Sequence, residues 1–177
     1  MQIFRLENID STNSHAFELA EKSQPSMPFM VIAKSQTAGR GQFHRKWYSS
    51  DDKNLYLSVA FKPKKAPANF SNFSLKFAEL VAERLSNKFS INFTIKYPND
   101  IYFNGKKLAG ILTETKILGN EIMVAVSGIG INVNADITTY PPGIRETATS
   151  IYALLNHQVD LSMIEKLVID VLAKLIS

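Results

Sequence analysis

KYPNDIYFNGKKLAGILTE, residues 96–114, decides the fold, because it holds an acidic turn, a hairpin and a lysine pair in one run. Asn104-Gly105 lies between Ile101–Phe103 and Lys106–Thr113. The two central residues of a type I′ turn need positive φ, which Asn and Gly tolerate best, so this is a strong hairpin signal. Strict alternation along the second strand would then place Lys107 with Ala109, Ile111 and Thr113, and Lys106 with Leu108, Gly110 and Leu112. One lysine faces a covered side and the other faces away; parity does not say which is the working one.

The rest of the chain reads as one compact α+β domain of 177 residues. Residues 2–6 suit a short strand. Asp10-Ser11-Thr12-Asn13 opens a helix to about Lys22, since these side chains accept bonds from free first-turn N–H groups. Phe29–Lys34 is an apolar strand and Asn54–Phe61 an alternating one. A helix from Asn69 carries Phe73, Phe77, Leu80, Val81 and Leu85 at a 3–4 spacing, a core stripe. Ile91–Ile95 and residues 121–126 return as strands. Ser162-x-x-Glu165 has the form of a capping box opening a last helix.

Composition excludes several chemistries. There is no cysteine, so disulfides, thiolate metal sites and cysteine nucleophiles are all absent. No apolar run approaches the roughly 18–20 residues of a membrane span, and the charged start MQIFRLENIDSTN is unlike a signal peptide. A cytoplasmic protein with no membrane partner is expected. Net charge is +4, from 20 basic and 16 acidic residues. The positives form no helical stripe with interleaved aromatics, so nucleic acid is not expected as a partner. They cluster at Lys62–Lys65, a proline-bearing loop read as solvated surface, and at Arg40–Lys46 and Lys106–Lys107, which suit a small polyphosphate.

QTAGRGQFHRKWYSS, residues 36–50, is the second informative run. Gly39 and Gly41 flank Arg40, so backbone can come close to a ligand while a planar guanidinium meets a phosphate or carboxylate. Trp47 by itself is as well explained by packing. Asn99-Asp100 after Pro98 is by itself an Asx turn aiming the hairpin.

Taken together these spellings resemble the biotin–protein ligases. Residues 96–114 are similar to that family's WPND…KKxxGILxE signature, with Tyr97 in place of tryptophan. Residues 39–47 resemble its GRGRxGRxW loop, except that Gln42 replaces a second arginine and His44 a glycine. Ser11-Thr12-Asn13, the run Gly128–Asn134 (GIGINVN) and Pro141–Ile151 (PPxxRxxATSI) add further matches.

The resemblance implies a mixed or antiparallel central sheet with helices packed on it. It implies ATP and Mg²⁺ as cofactors, biotin as substrate and a biotin carboxyl carrier protein as acceptor. Ser11, Thr12, Asn13, Gln36, Gly39, Arg40, Gly41, Lys107 and Gly110 would meet biotin. Arg40, Gln42, Trp47, Asn99, Lys107 and Asn132 would meet the nucleotide. Lys107, Arg40 and Asp100 would carry catalysis, with Asp100 chiefly positioning; Glu114 is read as structural. No metal ligand is nominated, Mg²⁺ being expected on the ATP phosphates.

The loop over residues 36–48 would act as a lid, poorly ordered without ligand. With only residues 1–10 before Ser11, no N-terminal DNA-binding domain is expected, and the small β-barrel that often follows this domain would be absent. Many relatives pair edge to edge as homodimers, which the sequence itself does not demonstrate. A lipoate or octanoate ligase on the same scaffold is the alternative activity, and a catalytically weak biotin-binding module the alternative of another class.

Overall fold

The computed structural model describes residues 1–49, 53–63, 70 and 72–177. Strands β1 (Gln2–Ile9), β2 (Phe29–Gln36), β3 (Leu55–Phe61), β4 (Thr94–Lys96), β5 (Asp100–Phe103), β6 (Lys106–Leu118) and β7 (Glu121–Ile131) form one sheet in the order β1-β2-β3-β7-β6-β5-β4. Only β1 and β2 run parallel, so the sheet is mixed, as expected. Asn104 and Gly105 take φ of 46° and 76° and turn β5 into β6, the hairpin their residue types require.

Two helices cover one face. Helix α2 (Phe73–Phe89) presents Phe77, Val81 and Leu85, and the C-terminal helix, α3 (Leu161–Ile176), presents Ile164, Val168 and Leu172. All six side chains are fully buried against Met30, Leu57, Val59 and Ile129 of the sheet. Burying one such side chain is worth about 1.5–3 kcal/mol, so this layer is the main source of stability. On the other face α1 (Thr12–Lys22) sets Ala16 against Phe29, Val31, Ala60 and Val126. Strand β3 is therefore buried on both sides, not alternately exposed.

Along this second face the strands change composition. Where α1 covers them they carry Val31, Ala60 and Val126; beyond its first turn they carry Ser58, Gly128, Gly130 and Gly110. Small residues there leave a hollow that the apolar half does not have.

The structure corrects four local expectations. Strand β1 runs on to Ile9, where it pairs with Gln36. Helix α2 begins at Phe73; Asn69, and Lys64 and Lys65 of the basic loop, lie outside the described residues. The strand expected at Ile91–Ile95 is Thr94–Lys96, because the Ile91 and Phe93 N–H groups turn back to the Ser86 carbonyl and hydroxyl. The last helix is capped by Asp160, whose carboxylate accepts from the Ser162 N–H at 2.9 Å. Ser162 is thus inside the first turn, and Glu165 is engaged by Arg5 instead. Hydrogen bonds from Ser162 hold the Asp160 carboxyl below its ordinary range.

A neutral pocket closed by a basic loop: the candidate active site

The hollow is a cavity of about 290 Å³. Its inner end is built by the first turn of α1 meeting β2, β3 and β7. Ser11 takes extended backbone (φ −159°, ψ 137°) as the helix N-cap, so Thr12 and Asn13 start the helix pointing down into the sheet. All three are at most 5 % exposed. Ser58 Oγ lies 2.7 Å from Thr12 Oγ1 and 2.6 Å from Asn13 Oδ1. Gln36, at the end of β2, accepts from the Thr12 N–H at 2.8 Å, and its amide donates to Ser49 Oγ at 3.1 Å. The Asn13 amide nitrogen donates to the Leu112 carbonyl at 3.2 Å and to the Glu114 carboxylate at 2.8 Å. A Cβ on Gly128 would stand 2.1 Å from Asn13 Oδ1, so glycine is obligatory beneath that side chain.

The outer end is roofed by residues 39–47, which form a small hairpin. The Trp47 N–H donates to the Gly39 carbonyl at 2.9 Å and the Gly41 N–H to Arg45 at 2.7 Å, with Arg40 bridged to Lys46. Residues 39–47 thus carry their own hydrogen bonds. Gly39 is needed there, since a Cβ would meet the Trp47 carbonyl at 2.8 Å; Gly41 is not, its nearest neighbour lying at 3.5 Å. Phe43 tips the turn at φ 55° and is 83 % exposed.

Trp47 descends from this hairpin onto bare backbone. A Cβ on Gly130 would lie 2.6 Å from its indole, and one on Gly110 would lie 3.1 Å both from the indole and from Lys107. Gly110 therefore makes room for Trp47 and Lys107, beyond the ligand approach expected from the sequence. The indole N–H is buried with no acceptor among the described residues.

Lys107 does not follow the alternation of its strand. Its partner in β5 is Tyr102, while Ala109 pairs with Ile101, so Leu108 is an extra, bulged residue. Leu108 and Ala109 both enter the core, and Lys107 emerges with Gly110 on the cavity face. The parity expectation, which grouped Lys107 with Ala109 and Ile111, fails by this one residue. Lys107 Nζ sits 2.8 Å from Asp100 Oδ1 and 5.3 Å from the Trp47 ring centroid. Arg40 donates to Ser14 Oγ at 2.8 Å and to both Glu114 oxygens at 3.2 and 3.3 Å.

Of the residues nominated from sequence, Ser11, Thr12, Asn13, Gln36, Arg40, Gly41, Gln42, Trp47, Asn99, Asp100, Lys107 and Gly110 all line this cavity. Gly39 is not among the lining residues and packs against Trp47, Gln36 and Ser49. Asn132 borders an adjoining cavity of about 130 Å³ shared with Lys46, Trp47 and Lys107. Asn99 is largely engaged by the fold, exchanging bonds with Ile111 through its backbone carbonyl and its amide. Sequence reasoning missed Ser58, Gly128 and Gly130, and gave Glu114 no part in holding Arg40. Gly128 and Gly130 had a signal, two glycines in a strand.

The cavity thus offers a neutral donor–acceptor pocket at one end and four cations at the other, of which Lys107 and Arg40 are each paired to a carboxylate. A model of the biotin/lipoate A/B protein ligase family matches residues 6–132. The bifunctional ligase/repressor BirA of Bacillus spizizenii is 34 % identical over 152 residues, covering 86 % of this chain and 46 % of that protein. The biotin–[acetyl-CoA-carboxylase] ligase of Paracoccus denitrificans is 30 % identical over 159 residues, 88 % of this chain and 65 % of that one. Among solved structures, the biotin protein ligase of Aquifex aeolicus in complex with biotin and ATP superposes with a TM-score of 0.80 at 30 % identity, over 99 % of this chain and 70 % of the other. The chain spans about half the length of the first of these relatives.

Proposed function

The chain belongs to the biotin/lipoate A/B protein ligase family, and from that premise we propose that it uses ATP to activate biotin and passes the biotinyl group to a lysine of a carboxylase carrier protein. One observation carries the reading: a neutral hydrogen-bonding pocket and four cations, Arg40, Arg45, Lys46 and Lys107, border the same cavity. Thr12, Asn13 and Gln36, with Ser58 bonded behind them, supply donors and acceptors for a polar, uncharged head. Lys107 and Arg40 then stand where a carboxylate must approach a phosphate.

In the first step a biotin carboxylate oxygen bonds to the α-phosphorus of ATP and pyrophosphate leaves. Two anions must meet, so positive groups at the developing charge are the minimum requirement. Lys107 and Arg40 fill that role once phosphate oxygens replace Asp100 and Glu114 as their partners. Holding the reactants in line contributes several kcal/mol more. In the second step the acceptor amine attacks the activated carbonyl and AMP departs. Asp100 orients Lys107 and, among the described residues, is the one carboxylate in the cavity lining. Among the described residues no group of three or more His, Cys, Asp or Glu forms a metal cage; Mg²⁺ fits here as an ion carried on the ATP phosphates, where it would neutralise the leaving pyrophosphate.

Trp47 and Asn132 border the smaller cavity, which suits the nucleotide base. The 39–47 hairpin would shield the adenylate from water. Edge-to-edge pairing of two copies and a cytoplasmic location complete the proposal; no described helix is long and apolar enough to cross a membrane. The test is pyrophosphate exchange into ATP with biotin or lipoate supplied. Exchange that needs biotin supports the reading, while exchange with lipoate alone moves the substrate to a dithiolane acid.

A further inference from the structure

The bulge that turns Lys107 into the cavity has a cause outside the hairpin. Strand β7 pairs with β6 only from Ala109↔Ile131 onward, so nothing in the sheet proper covers Lys107 on that side. A short strap, residues 147–149, takes the place of β7. The Lys107 N–H donates to the Thr147 carbonyl at 2.8 Å, the Thr149 N–H donates to the Lys107 carbonyl at 2.9 Å, and Ala148 forms a parallel bridge with Lys107.

Asn132 locks bulge and strap together. Its N–H donates to the carbonyl of the bulged Leu108 at 3.0 Å, its side-chain amide donates to the Thr149 carbonyl at 3.0 Å, and its own carbonyl accepts from Ile151 at 3.1 Å. The far end of the strap is fixed by Ser150, whose buried hydroxyl donates to the Ala135 carbonyl at 2.7 Å. Every backbone polar group of Lys107 is therefore satisfied by the strap, and a buried backbone group left unpaired is costly.

We propose that the Thr147–Thr149 strap, clamped by Asn132, is a positioning device that holds the β6 bulge and so sets the face on which Lys107 works. Asn132 acts through Thr149 and Leu108 as a positioning residue. The inference rests on the adenylating role proposed for Lys107, but the device itself is a statement about backbone and can be read without activity.

The experiment uses the full chain with Asn132→Ala, which removes the side-chain clamp, and Thr149→Pro, which removes the N–H that closes on Lys107. Amide hydrogen exchange is followed at Lys107 and, as a control, at Val59 and Val126 in the sheet core, alongside biotin-dependent pyrophosphate exchange. The Lys107 amide is expected to exchange at least ~10-fold faster with the controls unmoved. The rate constant for adenylation should fall by about 100-fold, the cost of a misplaced group, while KM for biotin changes little because its pocket lies elsewhere.

Unchanged Lys107 exchange overturns the device. Faster exchange with an unaltered rate overturns its part in positioning, and a lost rate with parent-like exchange overturns it in favour of direct nucleotide contact by Asn132. If Thr149→Pro does not fold, Asn132→Ala decides alone. Should the parent prove inactive, the proposed function fails while the exchange data still judge the strap.

Discussion

The two ends of the cavity are built on opposite principles. At the inner end Thr12, Asn13 and Ser58 are neutral, buried and, with the half-buried Gln36, bonded to one another. Rearranging them would strand buried polar atoms, so the pocket is preformed and selective. At the outer end Lys107 and Arg40 are 30 % and 41 % exposed and each is held by one carboxylate. Partly exposed ion pairs are cheap to exchange, so these cations can be handed to an incoming anion at little cost. Shape recognition lives where rearrangement is expensive, and charge handling where it is not.

The contrast can be broken most severely at Lys107. Replacing Lys107 by Ala is expected to lower biotin-dependent pyrophosphate exchange by about 100- to 1,000-fold, the usual loss of one preorganised group at developing charge. Direct titration should show biotin binding nearly intact, because the neutral end is untouched. Equal loss of binding would merge the two ends into one. Next comes Gly128→Ala, which drives a methyl to 2.1 Å from Asn13 Oδ1. Overpacking of this kind costs about 1–3 kcal/mol, so biotin should bind about 10-fold or more weakly, with a lower Tm. Ser58→Ala is milder in shape but leaves Asn13 Oδ1 without its donor, at about 1–3 kcal/mol. Calorimetry should show the loss in biotin affinity, with the rate at saturating biotin largely kept.

How far the chain could be read in advance follows the same division. The hairpin was legible because Asn104-Gly105 is a local signal with one geometric solution. The Arg40 loop and the Ser11–Asn13 cap were legible only through their resemblance to the family's spellings, since on their own a glycine-flanked arginine is a basic loop and Ser-Thr-Asn a helix cap. What escaped was set by distant chain. The face of Lys107 depends on a bulge held by residues 147–149, and alternation within one strand cannot see it. Ser58 reads as an ordinary strand serine until α1 lands on it. Asp160 displaced Ser162 as the cap because its carboxylate, two residues earlier, takes the Ser162 N–H itself and so starts the helix sooner.

The smallest expected effect tests the exchange of partners most directly. In Glu114→Gln the amide oxygen still accepts from Asn13, so the neutral end keeps its bond, while Arg40 loses its counter-charge. A pair this exposed is worth about 0.2–1 kcal/mol, hence no more than about a fivefold effect. Two consequences follow with definite signs. Trypsin should cut after Arg40, Arg45 or Lys46 up to about fivefold faster in the ligand-free variant, because the roof has lost its tie to β6. KM for ATP should fall slightly, because Glu114 no longer competes with phosphate for the guanidinium. Both effects should shrink as salt is raised, since screening already weakens the pair in the parent. A rise in KM would reverse the argument: Glu114 would then be presenting Arg40 to the nucleotide, and the outer end of the cavity would be as preformed as the inner.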